Sequence, residues 1–221
     1  MNKATISADI VSSTSLNVKQ RLGLEKSLNQ LLDELRLTFG PEVFFGRLIK
    51  GDYIECVLEK PELALRVALL IKSYVKALDI KENKKKGQDL KDFKEYGIRV
   101  AIGVGELSIW NKQKGIIDGE AIYLSGRAIN EIATTKNTLV FRSTKDDWNE
   151  VFTPVMNFLD VLFSKYKRAQ SEVIFYKLLY KSEKEITEIL KKGQSTINQH
   201  STSTGWYAIK SAVDYFEKTI N

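Results

Sequence analysis

Every strand-like run in this sequence lies before residue 143, interleaved with stretches of helical spacing, and none follows. Such an order restricts the chain to an α+β body carrying an all-α extension. The first run, Thr5-Ile-Ser-Ala-Asp-Ile-Val11, alternates small polar with apolar residues, which predicts a core face of Ile6, Ala8 and Ile10, with Ser7 and Asp9 facing out. The hydroxyl cluster Ser12-Ser13-Thr14-Ser15 is expected to cap a long helix whose apolar positions, Leu24, Leu28, Leu31, Leu32, Leu35 and Phe39, end at Gly40-Pro41. Residues 43–58 read as two β-rich runs around Lys50-Gly51-Asp52, a tight hairpin. Pro61 opens a second helix, the lysine-rich segment 81–95 reads as a mobile loop, and 97–108 reads as one strand. Residues 115–136 lead through a short strand or turn into a helix, and Thr138–Arg142 supplies the last strand. The order β-α-β-β-α-β-(β)-α-β predicts helices on one face of a mixed, largely antiparallel sheet.

From Asp146 onward only helical spacing appears. Trp148, Phe152, Val155, Leu159 and Leu162 mark a first helix around Pro154. Helices over about 168–180, 183–191 and 194–218 follow, the last with a break at Gly205. Glu183–Leu190, a turn at Lys191-Lys192-Gly193 and Gln194–His200 have the lengths of a helix-turn-helix. The expected division is 1–145 for the α+β part, 146–165 for a connecting helix and 166–221 for the helix-turn-helix.

The sequence has 221 residues, a single cysteine (Cys56) and a single histidine (His200). Internal disulfides, Cys/His zinc sites and Cys–His dyads are thereby excluded, so carboxylates and hydroxyls must carry any chemistry. No apolar run approaches the roughly 18 residues of a membrane span, and MNKATISADIV lacks a signal peptide's apolar stretch, so a cytoplasmic protein with no membrane partner is expected. Net charge is +6, shared evenly between 1–159 and the shorter, hence more basic, 160–221. That balance is compatible with a nucleic-acid partner for the tail.

Asp9 closes the first strand and Asp52 sits in the hairpin. If the hairpin pairs beside that strand, a spacing of about 4.8 Å brings the carboxylates within reach of shared cations. Hard oxygen ligands without His or Cys favour Mg²⁺ or Mn²⁺, whose usual paired task is phosphoryl transfer. Ser12, Ser13 and Thr14, with the N–H groups opening the helix, would offer a triphosphate an anion-binding turn. The competing reading makes both aspartates turn residues that cap backbone. In the tail, Ile186, Ile189, Leu190 and Ile197 form a small interior, while Lys191, Gln194, Ser195, Thr196, Asn198 and Gln199 are placed to meet DNA phosphates or base edges. The competing reading there is a packing bundle. Cys56 reads as an inert core residue, and Gly103-Val-Gly105 as close packing of a strand, with no phosphate loop.

Asp9-Ile10 before Ser-Ser-Thr, Lys50-Gly51-Asp52, Arg99-Val-Ala-Ile-Gly103-Val, and Gly119-xx-Ile122-xx-Ser125-x-Arg127 together resemble the motif run of class III nucleotidyl cyclase domains over about residues 4–142. With ISADIVSS, RVAIGVGEL, DGEAIYLSGRAINEI and the helical extension, the chain resembles the SatD family, which joins a cyclase-like domain to a helix-turn-helix domain. The resemblance implies a ferredoxin-like, nucleotide cyclase-like α/β sandwich. It also implies metal ligation by Asp9, Asp52 and the Ile10 carbonyl. Phosphate and nucleotide contacts would come from Ser12, Ser13, Thr14, Lys50, Asp118 and Arg127, with Arg127 steadying the transferring phosphate as the catalytic residue of any enzyme. Leu48, Ile116 and Tyr123 stand where cyclases read the purine or assist the arginine, so cyclic AMP or cyclic GMP synthesis is not expected. The expected molecule is a homodimeric, nucleotide- and metal-responsive DNA-binding regulator. Its rivals are an active metal-dependent cyclase or nucleotidyl transferase of unusual base preference, and a scaffold with a degenerate site.

Overall fold

The computed structural model describes residues 1–79 and 87–221, and the side chains of all of these except 87–91. Strand β1 (Lys3–Ile10) leads through a 3₁₀ turn at Ser13–Ser15 into helix α1 (Val18–Phe39), and β2 (Phe44–Ile49) and β3 (Tyr53–Leu58) form the expected hairpin. After a second 3₁₀ turn at Pro61–Leu63 come α2 (Ala64–Ala77), α3 (Gly87–Tyr96) and β4 (Ile98–Gly105). A small hairpin of β5 (Leu107–Asn111) and β6 (Ile116–Gly119) precedes α4 (Glu120–Ile132) and β7 (Leu139–Ser143). The rest is helical: α5 (Asp146–Lys165), α6 (Arg168–Leu178), α7 (Glu183–Leu190), α8 (Gln194–Ser203) and α9 (Trp206–Ile220). The main sheet runs β2-β3-β1-β4-β7, antiparallel throughout except for the β4–β7 pair. This is a mixed α+β architecture, as the order of runs predicts.

Several local expectations need correction. The hydroxyl run does not cap α1. Asn17 does so, accepting from the Gln20 N–H at 2.9 Å while Gln20 Oε1 accepts from the Asn17 N–H, a closed capping box. The run 97–108 is two strands, β4 and β5, which belong to different sheets. Of the segment 81–95 read as a loop, residues 87–95 are helical, while the Lys84-Lys85-Lys86 run lies outside the described residues.

The sheet is covered on both faces, which corrects the expectation of helices on one face only: α1, α2 and α5 pack on one side and α4 on the other. Ile6, Ala8 and Ile10 enter the main core with Ile54, Cys56, Val100, Ile102 and Phe141, against α1, α2 and α5. On the other face α4 packs its Ala128, Ile129 and Ile132 against Ala101 and Val140. Ser7 is therefore fully buried, contrary to the alternation argument, because a helix covers it. Its hydroxyl donates to Ser125 Oγ at 3.0 Å, and Thr5 Oγ1 donates to the Ala121 carbonyl at 2.8 Å, which satisfies the polar groups that α4 buries. Gly103 makes this approach possible. A Cβ there would lie 2.6 Å from the Ser125 nitrogen.

The helices after residue 146 share the same core. α5 buries Trp148, Phe152, Met156, Leu159 and Phe163, so Met156 and Phe163 replace the predicted Val155 and Leu162 as fully buried positions. α6 lies along α2, and Phe216 of α9 meets Phe141 of β7 edge to face with ring centroids 5.5 Å apart. Buried Arg66 of α2 donates to Glu217 of α9 at 2.7 Å. The predicted break at Gly205 is present, with φ at 66°. α7 and α8 close over a separate small cluster of Val173, Ile186 and Ile197, whereas Ile189, expected inside, is 44% exposed. Among the described residues, no helix is long and apolar enough to cross a membrane.

Candidate functional site

The register of β1 against β3 puts Asp9 opposite Tyr53, one residue beyond Asp52. Lys50 and Gly51 both take left-handed conformations, with φ of 56° and 82°, turning the chain so that Asp52 directly precedes β3. The turn is fastened to β1 because the Ile10 N–H donates to the Asp52 carbonyl at 3.3 Å. Ser12, also left-handed at φ 56°, starts the 3₁₀ turn that swings Ser13 over the hairpin. There Ser13 Oγ donates to Asp52 Oδ2 at 2.6 Å.

Electrostatics tie the two aspartates together. The Asp9 carboxyl is pushed above the usual carboxylate range, first by burial and second by the Asp52 charge, with Arg99 opposing. Arg99 stands opposite Asp9 on β4, its Nη1 3.8 Å from Asp9 Oδ2. Its Nε is buried and has no hydrogen-bond partner among the described residues. The Asp9 charge is thus balanced in part by one imperfectly placed guanidinium. Among the described residues no group of three or more His, Cys, Asp or Glu side chains is arranged to hold a metal. The protein side chains supply two carboxylates, and main-chain or ligand oxygens would have to complete the coordination of a hard cation such as Mg²⁺ or Mn²⁺.

Beside Asp52 opens a cavity of about 180 Å³ lined by Ser13, Thr14, Arg21, Leu24, Glu25, Lys50, Gly51 and Asp52. Ser13, Thr14 and Lys50 are phosphate contacts expected from the sequence; Ser12, Ile10 and Asp9 are not part of this lining. Arg21 lies outside the expected set. Its signal is physical: the first turn of α1 has no acidic residue and carries Lys19 and Arg21, the charge sign that the helix dipole disfavours unless an anion is near. Arg21 Nε donates to the Leu16 carbonyl at 3.2 Å, which leaves the rest of the guanidinium for the cavity.

Asp118 and Arg127 lie elsewhere. Tyr123 on α4 donates its hydroxyl to Asp118 of β6, and this bond raises the Tyr123 pKa while nearby Arg127 opposes the rise. Arg127 is exposed, and among the described residues no hydrogen bond or ion pair joins it to Asp9 or Asp52. At the positions tied to base reading, Leu48 packs against the core and Ile116 is 46% exposed.

Of the predicted DNA contacts, Lys191 ends α7 in a left-handed conformation, and Gln194, Ser195, Asn198 and Gln199 are exposed on α8, while Thr196 is half-buried. Asn198 donates to Glu183 at 3.4 Å, and Lys192 pairs with Glu172 at 2.9 Å, so part of this surface is engaged internally.

No family model matches the chain, and no curated protein does. Two solved structures, both described as a bacterial light-regulated adenylyl cyclase, are similar over part of it. The first has a TM-score of 0.42 and 15% identity over 63% of this chain and 74% of that one. The second has a TM-score of 0.40 and 15% identity over 64% of this chain and 43% of that one.

Proposed function

We propose that this chain is a regulator of the SatD type: an α+β module that binds Mg²⁺ or Mn²⁺ together with the phosphates of a nucleotide, coupled to a helix-turn-helix made by α7 and α8. The observation that carries the reading is the electrostatic coupling of Asp9 and Asp52 at one end of the β1–β3 pair, with Ser13 on Asp52 and a cavity alongside whose lining sets Arg21 and Lys50 beside Glu25 and Asp52. Asp9 and Asp52 hold the cation. Lys50, Thr14 and Arg21 hold phosphate oxygens, whose charge the cation and the lysine–arginine pair share. Arg127 acts from a second copy, because within one chain it is not joined to the carboxylates; a homodimer completes the site. The exposed amides and hydroxyls of α8 meet DNA, with Lys191 on its phosphates.

The alternative, an active metal-dependent cyclase or nucleotidyl transferase, is favoured by one observation: Arg127 is exposed and without an ion-pair partner among the described residues. Against it, Leu48 and Ile116 present no polar atom to a purine edge. Incubating the full chain with each nucleoside triphosphate and Mn²⁺, then separating products, distinguishes the two. The regulator reading expects no cyclic AMP or cyclic GMP, and their robust formation overturns it. A companion measurement is fluorescence anisotropy with DNA fragments from the protein's own operon at several salt concentrations. Salt-dependent binding that shifts with nucleotide and metal is expected. Its absence from every fragment under all conditions makes α7 and α8 a packing element.

A further inference from the structure

α5 has two stripes. One is the core face described above; the other consists of Asp147, Val151, Pro154, Phe158, Val161 and Lys165, all exposed and spaced by alternating steps of four and three residues. That alternation is the seam of a helix pair. Its apolar members are far from buried: Phe158 is 74% exposed, Val161 53% and Val151 40%.

The stripe is complementary to its own reversal. Laid antiparallel on itself about a point near residue 156, it sets Asp147 against Lys165, Val151 against Val161 and Pro154 against Phe158. An isologous two-fold interface requires this self-complementarity, and a surface shaped for an unrelated partner has no reason to possess it. Neither Asp147 nor Lys165 has an ion-pair partner among the described residues. The two helix dipoles would also run antiparallel, the acidic start of one beside the basic end of the other.

We propose that this face of α5 binds the same face of a second copy of the chain, antiparallel, with Phe158 as the central anchor. α5 packs on β7 from the side that holds Phe141, whereas α4 and Arg127 lie on the side that holds Val140. The pair therefore leaves the Arg127 face open and does not depend on the proposed nucleotide site.

Sedimentation velocity of the full-length protein across a concentration series tests this. Phe158→Glu is expected to weaken association roughly tenfold or more, as loss of a central aromatic anchor does. Asp147→Lys and Lys165→Glu each place like charges together at both ends of the pair and should weaken it about fivefold. The double variant Asp147→Lys/Lys165→Glu restores opposite charges and should recover association, even though both changes oppose the helix dipole and lower the melting temperature. A fold-stability effect alone would make the double variant the worst of the three. Wild-type protein that is monomeric throughout, an unchanged profile for Phe158→Glu, or a double variant no better than the single ones overturns the proposal.

Discussion

Asp9 and Arg99 face each other across β1 and β4 with a separation that suits neither a close ion pair nor independence, and Arg21 faces the cavity beside Asp52. Arg21→Gln should weaken triphosphate-dependent stabilisation about tenfold, as loss of a charge-assisted contact does, while leaving stabilisation by Mn²⁺ alone unchanged. Equal loss in both would mean that Arg21 supports the fold of the hairpin. Lys76 allows a test away from the site. Its Nζ donates to the carbonyls of Glu95 at 2.7 Å and Ser164 at 2.8 Å, and burial, with Lys72 nearby, lowers its pKa to about 8. The folded chain holds this proton less tightly than the unfolded one. The resulting penalty is full below about pH 8 and is relieved as pH rises toward the ordinary lysine value of 10.5. Wild type should therefore gain stability relative to Lys76→Met between pH 8 and 10 in urea titrations; a constant difference contradicts this. At this scale Asp9, Asp52, Ser13, Thr14 and Lys50 are legible in the sequence through order and spacing. Arg21 is hidden there because arginine on a long polar helix face looks like any solvated charge, and only the helix start at Val18 places it in the first turn.

The alternation in β1 correctly orients Ile6, Ala8 and Ile10 but misreads Ser7, because hydroxyl residues suit both a solvated face and one covered by a helix whose own serine can pair with them. Gly103 is the available clue. Gly103→Ala should cost about 1–3 kcal/mol by urea denaturation, as overpacking usually does, since the new methyl meets the backbone of α4. Gly126, inside α4, gives the opposite expectation, because a methyl group there would have nothing within 4 Å. Gly126→Ala should stabilise by about 0.5–1 kcal/mol through helix propensity. Equal effects of the two changes would contradict the close crossing of α4 over β4. The hairpin is legible because Lys50-Gly51-Asp52 combines turn residues with β-rich flanks. The β4–β5 break is not, since Gly105-Glu106-Leu107 continues the apolar alternation on both sides.

Across the whole molecule, the helices after residue 146 are each legible from their spacing, but their docking is not, because an amphipathic helix does not name the surface it covers. Phe216 reaches the aromatic cluster of Phe141 and Phe152 in one continuous core, so the tail and the sheet are expected to unfold together. Phe216→Ala should cost about 3–5 kcal/mol in a single transition that far-UV and near-UV signals report alike; a separate early transition with the remainder unchanged would contradict that. A core shared in this way also gives a route by which a ligand at Asp52 can bias the outer helices, since α2 touches β1 and β4 on one side and α6 and α9 on the other. The central claim is the metal- and phosphate-binding pair, and the direct measurement is the melting temperature of wild type, Asp9→Asn and Asp52→Asn with chelator, with Mn²⁺, and with Mn²⁺ plus each nucleoside triphosphate. Without metal, Asp9→Asn should melt above wild type, because it removes a carboxylate whose charge the fold disfavours. Mn²⁺ should raise the wild-type melting temperature, a triphosphate should raise it further, and both rises should vanish in each variant. An equal metal-dependent rise in all three proteins would contradict the account.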